Sequence, residues 1–154
     1  MNALETRRRI ENGLKCLSDI QSYWKAFEKP VSILIVDDDA LFCEVLEARI
    51  KATIARECVI TKADCGHDAL ENLRRSKVDL LFVDLRMPKH KGDGLEVLRN
   101  VNHYADMIVM VVTGIADDSE EVSEARRLGF DTIIRKTELA DDLQLIFGGK
   151  GMKL

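Results

Sequence analysis

Three consecutive carboxylates, Asp37, Asp38 and Asp39, follow the apolar run Val31 to Val36 (VSILIV), and a second apolar run, Leu80-Leu81-Phe82-Val83, also ends in an acid, Asp84. Like charges at the end of a buried strand repel one another, so their presence points to a cation or a reaction that uses them. Two parallel strands bringing these acids to one sheet edge would build a pocket for a hard divalent ion and a phosphoryl group. Farther along, Thr113 and Gly114 close a third apolar run, and Arg135 with Lys136 closes a fourth. Together the strand ends supply carboxylates for a cation and a nucleophile, a hydroxyl donor, and an ammonium to neutralise phosphoryl oxygens.

The elements needed to converge these groups can be read from periodicity. From Val31 onward, short β-type runs alternate with helical patterns: strands are expected at 31 to 36, 58 to 62, 79 to 83, 107 to 112 and 131 to 135, and helices at 40 to 53, 67 to 76, 93 to 101, 118 to 128 and 138 to 147. Five βα units imply a parallel sheet covered on both faces, with the ligand site at the carboxyl ends of the strands. Residues 1 to 30 read differently. Ile10, Leu14, Leu17, Ile20, Trp24 and Phe27 recur at steps of three or four, which predicts an amphipathic helix that Pro30 stops. The glycine-rich tail, 148 to 154, is expected to be flexible, and no second domain is expected after it.

Composition bounds the remaining possibilities. A chain of 154 residues with 46% hydrophobic content suits one α/β domain of residues 31 to 147 plus an appendage. The net charge of -4, with scattered basic residues, offers no footprint for nucleic acid or an anionic membrane, so direct binding to either is not expected. Cys16, Cys43, Cys58 and Cys65 lack CxxC pairing and are not preceded by a signal peptide; they read as reduced, mostly buried thiols in a cytoplasmic chain. No apolar run is long enough to span a bilayer. His67, His90 and His103 lack metal-ligand spacing and read as surface residues.

The segments ILIVDDD (33 to 39), LLFVDLRMP (80 to 88), VVTG (111 to 114) and the strand-end Lys136 occur in the order and approximate spacing of a known family. The chain resembles the receiver domains of two-component response regulators over residues 31 to about 147. The resemblance implies a CheY-like, flavodoxin-like fold: a doubly wound five-stranded parallel sheet in the order 2-1-3-4-5 with helices on both faces. It implies that Asp84 is the phosphoacceptor, taking its phosphoryl group from a histidine kinase or a histidine phosphotransfer protein. Asp38 and Asp84 would hold Mg²⁺ by their carboxylates, Asp37 directly or through water, and Arg86 by its backbone carbonyl. Thr113 and Lys136 would each engage a phosphoryl oxygen. Such a domain is not an enzyme in the ordinary sense, since it catalyses only its own phosphorylation and dephosphorylation.

Several positions carry a plainer role or depart from the family. Asp39, next to Ala40, is most simply the N-cap of the helix starting there. Lys136 is followed by Thr137 where the family usually has proline, whose bond is commonly cis; without proline cis costs about 2.5 to 4 kcal/mol, and the sequence leaves the isomer, and with it the setting of the lysine, open. Ile133 replaces the aromatic residue that usually relays phosphorylation to the output face. The loop Lys-His-Lys-Gly-Asp-Gly (89 to 94) is longer than usual by about two residues. Arg86 and Ile115, two residues beyond Asp84 and Thr113, would shield the acyl phosphate, an expectation of slow autodephosphorylation that its decay in purified protein would test.

With no output domain read in the chain, the signal is expected to leave by contact with a downstream protein, through the surface at about 118 to 147. A homodimer through that surface or through residues 1 to 30 is a second expectation. Two other functions compete. A scaffold that keeps the fold but needs no phosphate draws on the lost proline and the replaced aromatic. A haloacid-dehalogenase-like phosphohydrolase would use Asp37 and Asp39 as a DxD pair, with Asp37 as nucleophile, but Leu41 departs from that pattern and no acidic pair follows Lys136 at the strand end.

Overall fold

The computed structural model describes residues 30–54, 56–101, 107–116, 118–130 and 132–147. The expected helix within 1 to 30, the tail from 148, Cys16 and His103 lie outside the described residues. Within them, five strands form one parallel sheet: β1 (Val31–Val36), β2 (Cys58–Ala63), β3 (Leu80–Val83), β4 (Ile108–Thr113) and β5 (Ile133–Arg135), in the order β2-β1-β3-β4-β5. Five α-helices alternate with them: α1 (Ala40–Thr53), α2 (Gly66–Arg75), α3 (Gly94–Asn100), α4 (Glu120–Arg127) and α5 (Leu139–Phe147). Short 3₁₀ turns occupy Lys89–Lys91 and Lys136–Glu138. The expected flavodoxin-like architecture is therefore the observed one.

The inner strands β1, β3 and β4 are buried on both faces because helices cover both. Ile33 and Ile35 point into one core layer with Leu46 and Ile50 of α1 and Leu143 and Ile146 of α5. Leu34 and Val36, one residue out of phase, point into the other with Ala69 and Leu73 of α2, Val97 and Leu98 of α3, and Val122 and Ala125 of α4. This alternation is the period of two in a pleated strand, and burying both sets makes the strand read as a continuous apolar run.

Register determines what reaches the sheet edge. Val36 pairs with Val83, so Asp37 and Asp84 leave neighbouring strands side by side, and the Asp84 N–H donates to the Val36 carbonyl at 2.9 Å. Val83 pairs with Val111 and Thr113 with Arg135, which carries Thr113 and then Lys136 to the same edge.

Helix boundaries follow local capping more closely than periodicity. The Asp39 carboxylate accepts from the Phe42 N–H and starts α1, as expected of an N-cap. Asp93 and Ser119 cap α3 and α4 in the same way, so these helices begin at Gly94 and Glu120, one and two residues inside the expected starts. At the end of α4, Gly129 takes φ +94°; its N–H donates to the Arg126 carbonyl and that of Phe130 to the Ala125 carbonyl. That paired termination needs a residue free to adopt the left-handed conformation.

Candidate functional site

Asp37, Asp38 and Asp84 present carboxylate oxygens within 4.8 Å of one another at the carboxyl edge of β1 and β3. Asp37 and Asp84 are buried, at 3% and 6% exposure, whereas Asp38 reaches solvent. Asp37 Oδ1 accepts from the Asp39 N–H at 2.9 Å. Its Oδ2 lies 2.8 Å from Lys136 Nζ, a charge contact outside hydrogen-bond geometry, so this buried oxygen has no hydrogen-bond donor among the described residues. Lys136 Nζ also donates to Asp84 Oδ2 at 3.3 Å.

Electrostatics match this geometry. Burial, reinforced by the charge on Asp37, pushes the Asp84 carboxyl up to about 6; Lys136 and a backbone hydrogen bond from Arg86 work the other way. For Lys136, burial disfavours the charged form, but Asp37 and Asp84 outweigh it and hold the ammonium above its ordinary value. One ammonium thus faces two buried carboxylates at the sheet edge. The donor set suits a hard divalent cation: oxygens only, clustered, one of them buried and lacking a donor.

The remaining expected residues fall around this cluster. Thr113 is fully buried, and its Oγ1 accepts from the Ile115 N–H at 3.2 Å, which leaves the hydroxyl its own proton to donate. Thr113 and Lys136 share the wall of a recess with Gly114, Ile115 and Arg135. On the opposite side, Asp37 and Asp38 line a recess of about 440 Å³ with Glu44, Lys62, Asp64 and Asp68.

Arg86 departs from expectation. Its guanidinium, expected to lie as a shield over Asp84, is instead held by Glu121 of α4, with Nε and Nη2 donating to Oε2 at 3.1 and 2.7 Å. The basic loop is anchored as well: the Gly92 carbonyl accepts from the Gly66 N–H at 2.8 Å, and Gly92 itself has φ +87°. Burial pushes the Cys43 thiol up to about 11 and also raises that of Cys58, so both are protonated at neutral pH. His67 is exposed and sits 3.1 Å from Glu96; His90 is exposed.

Two residues that support the site were not singled out in the sequence. At Gly94 a Cβ would fall 2.0 Å from the Asp84 carbonyl oxygen and 2.5 Å from Leu85 Cα, so only glycine lets α3 begin against the backbone of the loop that follows Asp84. The Asp-Gly pair after a basic turn was the available signal. Phe42 lies beneath Lys136, its ring centroid 4.3 Å from Nζ. No sequence pattern announces a contact between residues so far apart in the chain.

Comparison with known proteins gives a consistent picture. The response regulator receiver domain family matches residues 33–147. The chain is 31% identical to the transcriptional regulatory protein ZraR of Klebsiella oxytoca over 116 residues, covering 75% of this chain and 25% of that protein. It spans between 25% and 48% of the length of four such curated relatives. A CheY-like response regulator receiver domain protein from Methanospirillum hungatei JF-1 superposes with a TM-score of 0.60 at 21% identity, covering 80% of this chain and 98% of that one. A response regulator from Burkholderia pseudomallei, solved with a phosphorylated aspartic acid, calcium ion and citrate, superposes with a TM-score of 0.64 at 19% identity over 80% of this chain and 69% of that one. No helix among the described residues is long and apolar enough to cross a membrane.

Proposed function

The chain belongs to the response regulator receiver domain family of two-component signalling, and on that premise we propose that Asp84 accepts a phosphoryl group from a histidine kinase or a histidine phosphotransfer protein. The observation that carries this reading is the Asp84 carboxylate, set between two further metal-ready acids and the Lys136 ammonium at one sheet edge. An Asp84 oxygen attacks the phosphorus of phosphohistidine; the new O–P bond forms as the P–N bond breaks, and the imidazole nitrogen leaves with the bonding pair. Lys136 shifts its charge from the carboxylates to a phosphoryl oxygen, and Thr113 donates its hydroxyl proton to another. Positioned charge of this kind does most of the work, because the transition state spreads negative charge over the equatorial oxygens. Asp37, Asp38 and Asp84, with the Arg86 carbonyl, would hold Mg²⁺, which when bound offsets the charge of the phosphoryl oxygens. The Burkholderia response regulator, solved with both a phosphorylated aspartic acid and a calcium ion, supports a divalent ion in a site of this kind.

The signal then leaves by protein contact through the surface at 118 to 147, and the Arg86–Glu121 pair supports this route by tying the loop after Asp84 to α4. Residues 1 to 30 offer a second contact or a homodimer interface. The domain works in the cytoplasm, acts on no substrate beyond its own aspartyl phosphate, and binds no nucleic acid directly. A hydrolase using Asp37 is disfavoured, since residues 33–147 match the receiver family, whose resemblance makes Asp84 the phosphoacceptor. A phosphate-independent scaffold gives no reason for an intact acid cluster paired to a half-buried lysine.

Incubation with acetyl phosphate and Mg²⁺, followed by intact-mass analysis, tests the reading. One phosphoryl group should be gained by the wild type and by Asp37→Asn at reduced rate, and none by Asp84→Asn or after chelation. An adduct that survives Asp84→Asn would place the nucleophile elsewhere.

A further inference from the structure

The hold on Lys136 comes from three sides, and two carboxylates account for only two of them. Nζ faces Asp37 at 2.8 Å and Asp84 at 3.3 Å, and on its third side it lies 4.3 Å from the centroid of the Phe42 ring. Phe42 stands in the first turn of α1 and is itself fixed at both ends. Its N–H donates to Asp39 Oδ1 at 3.1 Å, and its side chain packs on the core layer between α1 and α5. The Asp39 N–H in turn donates to Asp37 Oδ1 at 2.9 Å. The contacts close a ring, from Asp37 through Asp39 and Phe42 to Lys136 and back to Asp37.

We propose that Phe42 is a positioning residue for phosphoryl transfer, its ring face holding the Lys136 ammonium over the sheet edge while that ammonium changes partners. This rests on the assignment of Asp84 as phosphoacceptor. A lysine reaches its target on a flexible four-carbon stem, and when a phosphoryl group arrives the ammonium must leave Asp37 without being lost to solvent. A carboxylate cannot guide that movement, because it holds the charge in the starting position. An aromatic face can: its attraction for a cation is broad and tolerates lateral displacement. Asp39 contributes to the same end, since its capping bond sets the turn that aims the ring.

Packing alone would also make Phe42 matter, so the test varies the ring's electrons at nearly constant shape. In the 154-residue chain, Phe42 is replaced by mono-, di- and trifluorinated phenylalanine, and the rate of adduct formation with acetyl phosphate at saturating Mg²⁺ is measured. Fluorine withdraws density from the ring face, so the rate should fall stepwise, reaching a loss of about twofold to fivefold for the trifluorinated ring. Phe42→Leu should lose at least as much, and Phe42→Tyr should restore most of the wild-type rate. Leu41→Ala, on the same turn but 71% exposed, should leave it unchanged. A rate that stays flat across the fluorine series overturns the proposal whatever Phe42→Leu does, because a ring that only packs is indifferent to its quadrupole. No adduct on the wild type would instead refute the assignment of Asp84, so the two failures are distinct.

Discussion

At the scale of single residues, the site is an electrostatic compromise that shows in stability. The Asp84 carboxyl, pushed up to about 6 mainly by burial, binds its proton more tightly in the folded chain than in the unfolded one, where the ordinary value is 3.8. From about pH 4 to pH 6 the folded state therefore carries more protons, and stability falls as pH rises through that window and stays lower above it. A shift of this size corresponds to about 3 kcal/mol at most, which solvent and relaxation reduce. Asp84→Asn removes the buried charge while keeping an acceptor for Lys136. In chelated protein it should stabilise the fold at pH 7.5 by about 1 to 3 kcal/mol and have no effect at pH 4. Urea unfolding at these two values checks it, and equal stability of both proteins at pH 7.5 would show that Lys136 already offsets the burial. Most of this residue set was legible in the sequence: Asp37, Asp38, Asp84, Thr113 and Lys136 each end an apolar run, and a parallel sheet brings such ends together. Phe42 was not, because it looks like any other apolar residue of an amphipathic helix.

At the scale of elements, helix α3 matters more to the site than its short length suggests. It begins at Gly94, whose N–H donates to the Leu85 carbonyl at 3.1 Å, so the helix start is fastened to the loop that follows the phosphoacceptor. A methyl group there would lie 2.0 Å from the Asp84 carbonyl oxygen, and the obstacle is backbone, which cannot turn aside as a side chain can. Gly94→Ala must push α3 or the Asp84 loop away. The expected result is a loss of about 2 to 4 kcal/mol, with phosphorylation slowed even where the protein remains folded, since the carboxylate moves with its loop. Thermal unfolding and the acetyl phosphate reaction read the two effects separately. A fully active, fully stable Gly94→Ala would mean that this loop yields freely. The start of α1 was legible because Asp39 follows the strand-end acids directly and stands before Ala40 as its cap. The starts slipped by one or two residues at α3 and α4, where periodicity included the capping residues Asp93 and Ser119 in the helix. The Arg86–Glu121 pair was not foreseeable, because it depends on how α4 is set against the sheet.

At the scale of the whole molecule, alternation of strand-like and helix-like segments predicted a two-sided parallel sheet, and strand parity is visible in how Ile33 and Ile35 divide from Leu34 and Val36 between the two core layers. The strand order did not follow from alternation; it came with the resemblance carried by the four motifs. The order matters physically because it sets β1 beside β3, so that the fold must hold Asp37 and Asp84 together in both core-forming strands at once. Repulsion between those acids is thus a load on the entire sheet, and a ligand that relieves it should stabilise the domain globally. A divalent ion binding only the folded state adds RT ln(1 + [ion]/Kd), about 1.4 kcal/mol at ten times Kd, which for a domain of this size raises Tm by about 3 to 6 °C. Titrating Mg²⁺ into chelated protein and following Tm should give a saturating rise. Asp38→Ala should weaken it strongly, because its exposed carboxylate contributes to the cluster and little to the core. Monovalent salt at matched ionic strength should produce no comparable rise, since screening acts weakly on buried pairs. If Mg²⁺ and monovalent salt shifted Tm equally, the acids would be acting as ordinary surface charge, and their convergence at the sheet edge would need another explanation.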